Sequence, residues 1–488
     1  MNFQATPSSS GIILSSVVLN SIKEDHANGG TEDFLSSVSS FNANGVHEEC
    51  VHYTKAPKHR KVSAVIIGAG NRGKNYAGYA LEFPDLFEIV AVAEPREQAR
   101  KSIQVTHALL DENCFEGWEA LVKKKKFADC ALVCTKDQDH VGPSVALAKL
   151  GYHILLEKPM ASTEEDCRLI YETCQETKVL LAVCHMLRYH PPVKKLKELI
   201  DSDIIGDVVN INQIEPIGFF HFAHSYVRGN WRNTESSTFS LLAKCCHDVD
   251  LIAFLMGSQK CVKVSSFGSL HHFRKENKPA GASSRCLECK VEALCPYSAK
   301  KVYLDPKPSK PRWPMNAVCD IEDPPEAYLT RLTESVRTGR YGKCVYGADN
   351  NVCDNQVVNF EFSDGATATL TMIAFSEHVC EKKAQIYGTR GQLMWDEAKG
   401  HVVEHYDFLT KTTKIHTCEM SPPGWDHAGA DYYMMKAFVE AVATGNNSLI
   451  VTGPKVSLET HLLTFAAEHS RTSGKIVNTN KDPRWIVN

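Results

Sequence analysis

Residues 62–73 read VSAVIIGAGNRG, an apolar and mostly β-branched run that ends in a glycine-rich loop. Such a run is typical of a strand buried on both faces of a sheet. The loop has the spacing G-x-G-x-x-G, with glycines at Gly68, Gly70 and Gly73. Gly68 permits a tight turn, Gly70 lets a pyrophosphate approach the backbone, and Gly73 lets the next helix pack closely on the strand. The stretch therefore predicts a strand, loop and helix that bind a dinucleotide.

The start of that helix and the end of the next strand complete the predicted nucleotide site. Asn71 and Arg72 open the helix, whose free N–H groups and positive dipole end favour phosphates. A second apolar run ends in Glu94, where a carboxylate can accept the hydroxyls of an adenosine ribose. Its charge would repel a 2′-phosphate, so NAD is favoured over NADP. Arg72 and Arg96 lie nearby and would reverse the sign of the local charge, which leaves NADP as the alternative.

Length, charge and cysteine content restrict the class of protein. A chain of 488 residues has room for two or three domains. Its net charge of −4 gives no reason to expect nucleic acid or an anionic membrane as a partner. No apolar run approaches the roughly 18 residues of a membrane span. The 18 cysteines are mostly scattered through apolar segments, as reduced core cysteines are, so we expect a cytoplasmic protein.

The pattern of strands and helices predicts three regions. Residues 1–58 are rich in Ser and Asn and predict a disordered tail. Residues 59–185 alternate strand and helix, as in an α/β Rossmann domain, and ligands bind at the strand ends of such sheets. Residues 186–488 begin a second set of strands and predict an α/β domain with an open, largely antiparallel sheet for substrate binding and oligomerisation. Within it, residues 266–320 have the character of an insertion that contains cysteines.

Several motifs in this order resemble the Gfo/Idh/MocA oxidoreductases. The motifs are the glycine loop, a terminal acid, and the three stretches Thr135…His140, Glu157-Lys158-Pro159 and Cys246-His247-Asp248-Val249-Asp250. The resemblance covers residue 60 to the end and implies NAD(P)-dependent oxidation or reduction of a sugar, polyol or related compound. It also implies homodimers or homotetramers that pair through the open sheet face. On this basis Thr135, His140, Glu157 and Lys158 are expected to contact the cofactor.

The sequence departs from the family pattern at two places in the expected site. Lys136-Asp137 stands where members usually have Pro-Asn, which affects contacts on the nicotinamide side. Members often have Asp four residues before the catalytic His, and here that residue is Ala243. The carboxylate that orients the substrate hydroxyl is therefore in doubt.

Three residues are candidates for the chemistry. Oxidation of a secondary alcohol needs a base for the hydroxyl proton and a cation near the developing alkoxide. Lys158, at a strand end, is the candidate cation, and the alternative is a salt bridge with Glu157. His247 is the candidate base, and the alternative is a core histidine near the start of a helix predicted from Cys246 to Met256. Lys244, one turn earlier, would bind substrate or lower the pKa of His247.

Two pairs of residues are candidates for substrate binding. Arg188 and Tyr189 follow a strand end near the domain junction and suit substrate oxygens. His427 and Asp431 lie one helical turn apart, in a stretch that resembles the glycine-rich loop bordering the cleft in some family members. The alternative for this second pair is a helix cap and a solvated loop.

Cysteines in the insertion have the spacing of metal ligands. Cys286, Cys289 and Cys295 give C-x2-C-x5-C, and His271 and His272 lie upstream. Three thiolates and one imidazole, with His272 as the choice, would suit a structural, tetrahedral zinc ion. The alternative is a set of reduced loop cysteines, because the spacing does not fix the fourth ligand.

Two other functions remain open at the sequence level. One is an NAD-dependent glycoside hydrolase that uses transient oxidation and elimination, as some relatives do. The other is a non-catalytic dinucleotide-binding protein, which the loss of the carboxylate at Ala243 would permit.

Overall fold

The computed structural model describes residues 60–307, 312–319, 325–422 and 424–487. The predicted tail at residues 1–58 lies outside this part of the chain. Within the described residues, no helix is both long and apolar enough to cross a bilayer.

The first sheet has six parallel strands, in the order β3-β2-β1-β4-β5-β6. It is a doubly wound arrangement, in which strand order reverses beside β1 and opens a crevice at the carboxyl ends of β1 and β4. Its strands are short apolar runs with nearly every side chain buried, as expected for a sheet covered on both faces. They are β1 Val62–Ile67, β2 Phe87–Ala93, β3 Cys114–Phe115, β4 Cys130–Val133, β5 His153–Leu156 and β6 Leu181–Val183.

Five helices connect these strands. The longest, α5, begins where the Thr163 hydroxyl accepts a hydrogen bond from the backbone N–H of Asp166 (3.1 Å), and its first turn is acidic, which complements the helix dipole. The five are α1 Asn71–Glu82, α2 Glu97–Thr106, α3 Trp118–Leu121, α4 Val141–Lys149 and α5 Glu164–Thr177.

The second sheet has nine strands, in the order β14-β13-β12-β11-β7-β10-β9-β8-β15. Among the strand pairs of the described residues only β7–β10 is parallel, so the sheet is mixed and mostly antiparallel. Burial alternates along β9 and β10, which leaves one face covered and one open, as predicted. The strands are β7 Val208–Pro216, β8 Cys261–Ser269, β9 Asn355–Phe362, β10 Thr367–Ile373, β11 Lys383–Gly388, β12 Gly391–Asp396, β13 Val402–Asp407, β14 Thr412–Thr417 and β15 Val477–Asn478.

Six helices complete the described fold. They are α6 Pro191–Asp201, α7 Phe219–Phe222, α8 Ser240–Met256, α9 Pro325–Thr338, α10 Ala430–Thr444 and α11 Pro454–Ser473. Helix α8 starts six residues before the predicted Cys246. Ser240 to Cys245 are nearly all buried, with Leu241, Ala243 and Cys245 in the core of the second sheet and Leu242 in a core of the first. His247 therefore lies well inside the helix instead of near its start.

The C-terminal helices return to the first sheet. Met434 and Phe438 of α10 pack with Val62 and Ala77 in one apolar core, and Leu458 and Leu462 of α11 pack on the opposite face of the same sheet. The residues that follow the second sheet thus cover the first one, and they bring the His427 loop to the carboxyl ends of its strands.

Candidate nucleotide and substrate site

The glycine loop is shaped to leave its backbone open at one point. Gly68 has φ +93°, and a Cβ there would lie 2.7 Å from the carbonyl oxygen of Cys134. A Cβ on Gly73 would lie 2.1 Å from the carbonyl oxygen of Gly68, so both positions need glycine. A Cβ built on Gly70 would have one neighbour within 4 Å, Nη2 of Arg96 at 3.9 Å, so the space beside this residue is open. Helix α1 begins next with no side-chain cap, so its N–H groups remain available for a pyrophosphate.

Glu94 lies beside this loop, at the end of β2. One carboxylate oxygen accepts the N–H of Ala69 (2.7 Å), and the other accepts the backbone N–H (3.0 Å) and the Nε (2.8 Å) of Arg96. Burial raises the pKa of Glu94, but these hydrogen bonds outweigh burial and leave the pKa lowered, so the group is a carboxylate at neutral pH. These residues fit an adenosine ribose: Glu94 would accept its hydroxyls, and the guanidinium of Arg96 is held against the same carboxylate.

His140 braces the loops that follow β4 and β5. One ring nitrogen lies 2.8 Å from the carbonyl oxygen of Pro159, and the other lies 3.3 Å from the carbonyl oxygen of Thr135. The Asp137 carboxylate, at the unusual Lys-Asp position, accepts from Trp231 (2.9 Å) and from the hydroxyl of Ser237 (2.9 Å). The side chains of His140 and Asp137 thus fix this edge of the crevice.

Arg72 stands at the centre of an ion network that joins the two halves of the molecule. Its guanidinium donates to Glu157 (2.8 Å), to the hydroxyl of Tyr76 (2.6 Å) and to Asp431 (2.7 Å). The other oxygen of Asp431 lies 3.0 Å from Nδ1 of His427. Burial raises the pKa of Asp431, but Arg72 and His427 lower it by more, so Asp431 stays ionised. The network places the predicted pair His427 and Asp431 at the crevice.

Lys158 and His247 come together at the carboxyl end of β5. The Lys158 ammonium donates to the carbonyl oxygen of Ala243 (3.0 Å), one turn before His247 on α8. His247 is buried, and both its ring nitrogens lack a hydrogen-bond partner within the described protein. Burial first, and then the charge of Lys158, lower the pKa of His247 well below its usual range. His247 is therefore a neutral imidazole with an unused acceptor beside a cation.

Lys244 faces the second sheet. Its ammonium lies 2.9 Å from the Cys380 sulfur and 3.4 Å from a carboxylate oxygen of Glu215. Burial lowers the pKa of Lys244, but Cys380 and Tyr226 outweigh burial and raise the pKa above the usual value. At neutral pH the group is thus a fixed cation that can donate hydrogen bonds but cannot act as a base.

A buried ion pair under the crevice is absent from the sequence predictions. Lys382 pairs with Glu215, and its ammonium also lies 3.7 Å from Asp248. Burial lowers the pKa of Lys382 to about 8 and raises the pKa of Asp248 to about 7. The sequence feature that could have indicated this ion pair is the presence of two polar residues, Gln213 and Glu215, on the covered face of β7. Lys382, in a loop far along the chain, has no local signal.

Arg188 and Tyr189 use their polar atoms inside the protein. Arg188 makes a two-pronged ion pair with Asp250 (2.7 and 2.8 Å), and both side chains are buried. The Tyr189 hydroxyl lies 3.2 Å from the Thr452 hydroxyl and accepts the N–H of Val451 (3.2 Å). These bonds tie α8 and the start of α11 together.

The predicted insertion reaches over the crevice. The Trp313 ring packs 4.9 Å from the ring of His221, which lies beside Cys380. The Asn316 amide donates to the side-chain oxygen of Asn71, at the start of α1 (2.8 Å). Residues 312–319 thus form a strap between α7 and the glycine loop. Nothing in the sequence indicated this, because the contact joins loops 245 residues apart.

The predicted zinc site is not supported. Among the described residues, no group of three or more His, Cys, Asp or Glu side chains is placed to hold one metal ion. His272, the proposed fourth ligand, instead lies 3.0 Å from the Tyr346 hydroxyl through Nε2. The spacing of residues in the sequence led to the wrong choice of His272 as a ligand, because spacing does not show the direction of the imidazole.

Comparisons with known proteins agree with this geometry. Residues 62–185 match the model of the Gfo/Idh/MocA oxidoreductase family's NAD-binding Rossmann fold. Residues 197–477 match the model of the same family's C-terminal alpha/beta domain. The chain belongs to this family. Its first sheet, with the glycine loop and Glu94, is accordingly an NAD-binding Rossmann fold.

Individual relatives of this chain are distant. The chain is 23% identical to 2,7-anhydro-N-acetylneuraminate hydratase of Escherichia coli (strain K12), over 42% of this chain and 53% of that protein. It is 25% identical to scyllo-inositol 2-dehydrogenase (NADP(+)) IolW of Bacillus subtilis (strain 168), over 42% of this chain and 55% of that protein. The chain therefore spans about half the length of the curated relatives it matches.

Solved structures share the fold. A levoglucosan dehydrogenase in complex with NADH superposes with a TM-score of 0.62 at 15% identity, covering 86% of this chain and 99% of that one. At this identity the likeness concerns the fold alone.

Proposed function

We propose that this protein is an NAD(H)-dependent oxidoreductase that moves a hydride to or from a hydroxyl-bearing carbon of a sugar, polyol or related small molecule. One observation carries the proposal. The Lys158 ammonium and the unpartnered imidazole of His247 meet where the strands of the dinucleotide-binding sheet end. The two residues provide the cation and the base that alcohol oxidation requires.

The charge state of each side chain determines its role in the proposed reaction. NAD, when bound, supplies the carbon that accepts or returns the hydride. Lys158 stabilises the negative charge that develops on the substrate oxygen. His247 takes the hydroxyl proton, because its lowered pKa keeps it neutral and able to accept. The fixed cation of Lys244 orients a substrate oxygen in place of the carboxylate that family members often have four residues before the catalytic His. His427, held by Asp431, lies with its ring 6.5 Å from that of His247 and borders the same space.

The test is an activity screen on purified protein with NAD, across polyols, aldoses and nitrophenyl glycosides. NADH formation and phenol release are followed together. We expect NADH to form in proportion to an oxidised sugar or polyol. Phenol release without net NADH would replace the proposal with transient oxidation and elimination. Tight NAD binding with neither product would favour a non-catalytic role.

We also infer that the open face of the second sheet pairs two copies of the chain. Phe267 on β8 and Ile214 on β7 are 72% and 40% exposed, which is unusual for strand side chains of their size. Light scattering should give a dimer or tetramer for the wild type and a smaller species for Phe267→Asp. Leu409→Asp, at a residue that is 90% exposed in the turn between β13 and β14 and outside any strand, is the control. A monomeric wild type would contradict the inference.

A further inference from the structure

A row of four partly open side chains leads from helix α8 to the strap. The Lys244 ammonium lies 2.9 Å from the Cys380 sulfur, which in turn lies 3.4 Å from Nδ1 of His221. The centroids of the His221 and Trp313 rings are 4.9 Å apart. None of the four residues is fully buried, and Lys244 lies one helical turn before His247. The row is therefore an accessible wall of the crevice that begins beside the proposed base.

Trp313 provides an open aromatic ring at the outer end of this row. It is 39% exposed, although a Trp ring is among the largest apolar surfaces that a residue can bury. The rings of His221 and His224 stand nearly perpendicular to it, at 86° and 83°. Three residues later, the side chain of Asn316 is bonded to that of Asn71 at the start of α1. The ring is thus held in place by its neighbours, while part of its surface stays free.

His221 adds a hydrogen-bond acceptor beside that ring. Its Nδ1 lies 3.2 Å from the carbonyl oxygen of Ile217, so this nitrogen carries the proton and donates. Burial first, and then the charges of neighbours that include Lys244 and Lys158, lower the pKa of His221 well below its usual range. The ring is therefore neutral at pH 7, and Nε2 holds a lone pair. Among the described residues Nε2 makes no hydrogen bond, so the row contains an unused acceptor.

The groups of this row fit a six-membered ring that carries hydroxyls. The C–H face of such a ring is apolar and packs on an aromatic ring, while its hydroxyls need acceptors and donors. A purely apolar ligand would leave Nε2 of His221 and the Lys244 ammonium without a partner from the ligand. A free phosphate would meet the lone pair of Nε2 and gain nothing from Trp313. An open-chain polyol has no fixed face and loses rotational freedom when it binds.

We propose that Trp313 and His221 form a subsite for a six-membered ring of the substrate, in which Trp313 packs on the apolar face of the ring and Nε2 of His221 accepts a hydrogen bond from a hydroxyl. This subsite rests on the proposed function and narrows it, because the substrate of the same crevice is then a ring sugar or cyclic polyol and not an open-chain polyol. Trp313 lies in the predicted insertion at residues 266–320, so the insertion determines this specificity.

The first experiment measures binding without turnover. The full chain is saturated with NADH, and saturation-transfer NMR gives the dissociation constants of methyl hexopyranosides, inositols and open-chain alditols. We expect the wild type to prefer the ring compounds. Trp313→Leu should weaken their binding by about tenfold and leave alditols and NADH nearly unchanged, whereas Trp313→Phe should retain most of the affinity. Phe408→Leu, at an aromatic residue that is 44% exposed in the turn after β13, is the matched control and should bind as the wild type does.

A second pair of variants tests the acceptor. His221→Gln keeps an oxygen acceptor on a side chain of similar length and should retain most of the affinity for ring compounds, whereas His221→Ala should weaken it. Four results would overturn the subsite: a wild type that binds no ring compound, unchanged ring binding by Trp313→Leu or by His221→Ala, equal losses for alditols, or a loss of NADH affinity in Trp313→Leu.

Hydride transfer separates this subsite from the proposed function. Transfer to ring sugars that Trp313→Leu leaves unchanged would overturn the subsite alone. Binding of ring sugars that depends on Trp313, without hydride transfer to or from any of them, would overturn the proposed function alone.

Discussion

Among the described residues the Lys158 ammonium makes no ion pair within 4 Å, and it donates instead to the carbonyl oxygen of Ala243. Lys158→Met keeps the length of the side chain and removes the charge. We expect NADH affinity to change little, because the glycine loop and Glu94 provide that binding. Turnover should fall by about 100-fold or more, the usual loss for a positioned electrostatic group. Lys149→Met, at an exposed lysine in the last turn of α4, is the control, and unchanged turnover in Lys158→Met would place the chemistry elsewhere.

His247 sets the expected response to pH. Its pKa lies below the ordinary 6.5, so the base form persists at neutral pH and activity should fall only as the pH drops through the lowered value. His247→Ala should reduce turnover by about 100-fold and remove this acidic limb. The measurement is kcat against pH for both proteins. An acidic limb that persists in the variant belongs to another group.

The residues that sequence analysis found are those marked by short motifs. The roles of Gly68, Gly70 and Gly73 were predicted from their spacing, and the role of Lys158 from its position after a predicted strand. Lys382 and Glu215 form a pair that lies 167 positions apart in the chain, and such a contact has no local pattern. The zinc prediction was wrong about His272 for the same reason, because the direction of a side chain depends on the fold.

At the scale of elements, the end of β2 decides which dinucleotide binds. Glu94 would repel a 2′-phosphate, while Arg96, bonded to it, would attract one. We expect NAD to bind at least about tenfold more tightly than NADP, since the carboxylate keeps Arg96 engaged. Glu94→Ala frees Arg96 and should reduce or reverse that preference. Calorimetric titration of both cofactors is the measurement, and tighter NADP binding by the wild type would refute the assignment.

The ion pair between Arg188 and Asp250 fastens α8 to the loop before α6. Both side chains are buried, so Asp250→Asn leaves an uncompensated guanidinium and should cost about 3–5 kcal/mol of unfolding free energy. Glu361→Gln breaks the exposed pair with Lys263 and should cost about 1 kcal/mol or less. Denaturant unfolding followed by tryptophan fluorescence compares the two. Equal losses of unfolding free energy in the two variants would mean that the buried pair between Arg188 and Asp250 contributes little to stability.

At the scale of the molecule, the periodicity of apolar residues predicted both sheets, because the pattern that indicates a strand or a helix lies within a few consecutive residues. The return of the C-terminal helices to the first sheet was not predicted, and neither was the strap at residues 312–319 over the glycine loop. Both depend on contacts between distant segments, such as Asn316 with Asn71 and Asp431 with Arg72. The crevice is therefore built by the whole chain, although its motifs are local.

Hydride transfer itself can be measured without knowing the natural substrate. The protein is incubated with NADH deuterated at C4 and a mixture of ketoses and oxidised polyols, and the products are analysed by mass spectrometry. We expect deuterium on a carbinol carbon of at least one product, and about 100-fold less with a Lys158→Met variant that still binds NADH. Label that stays on the cofactor with every compound, or equal transfer by the variant, would contradict it.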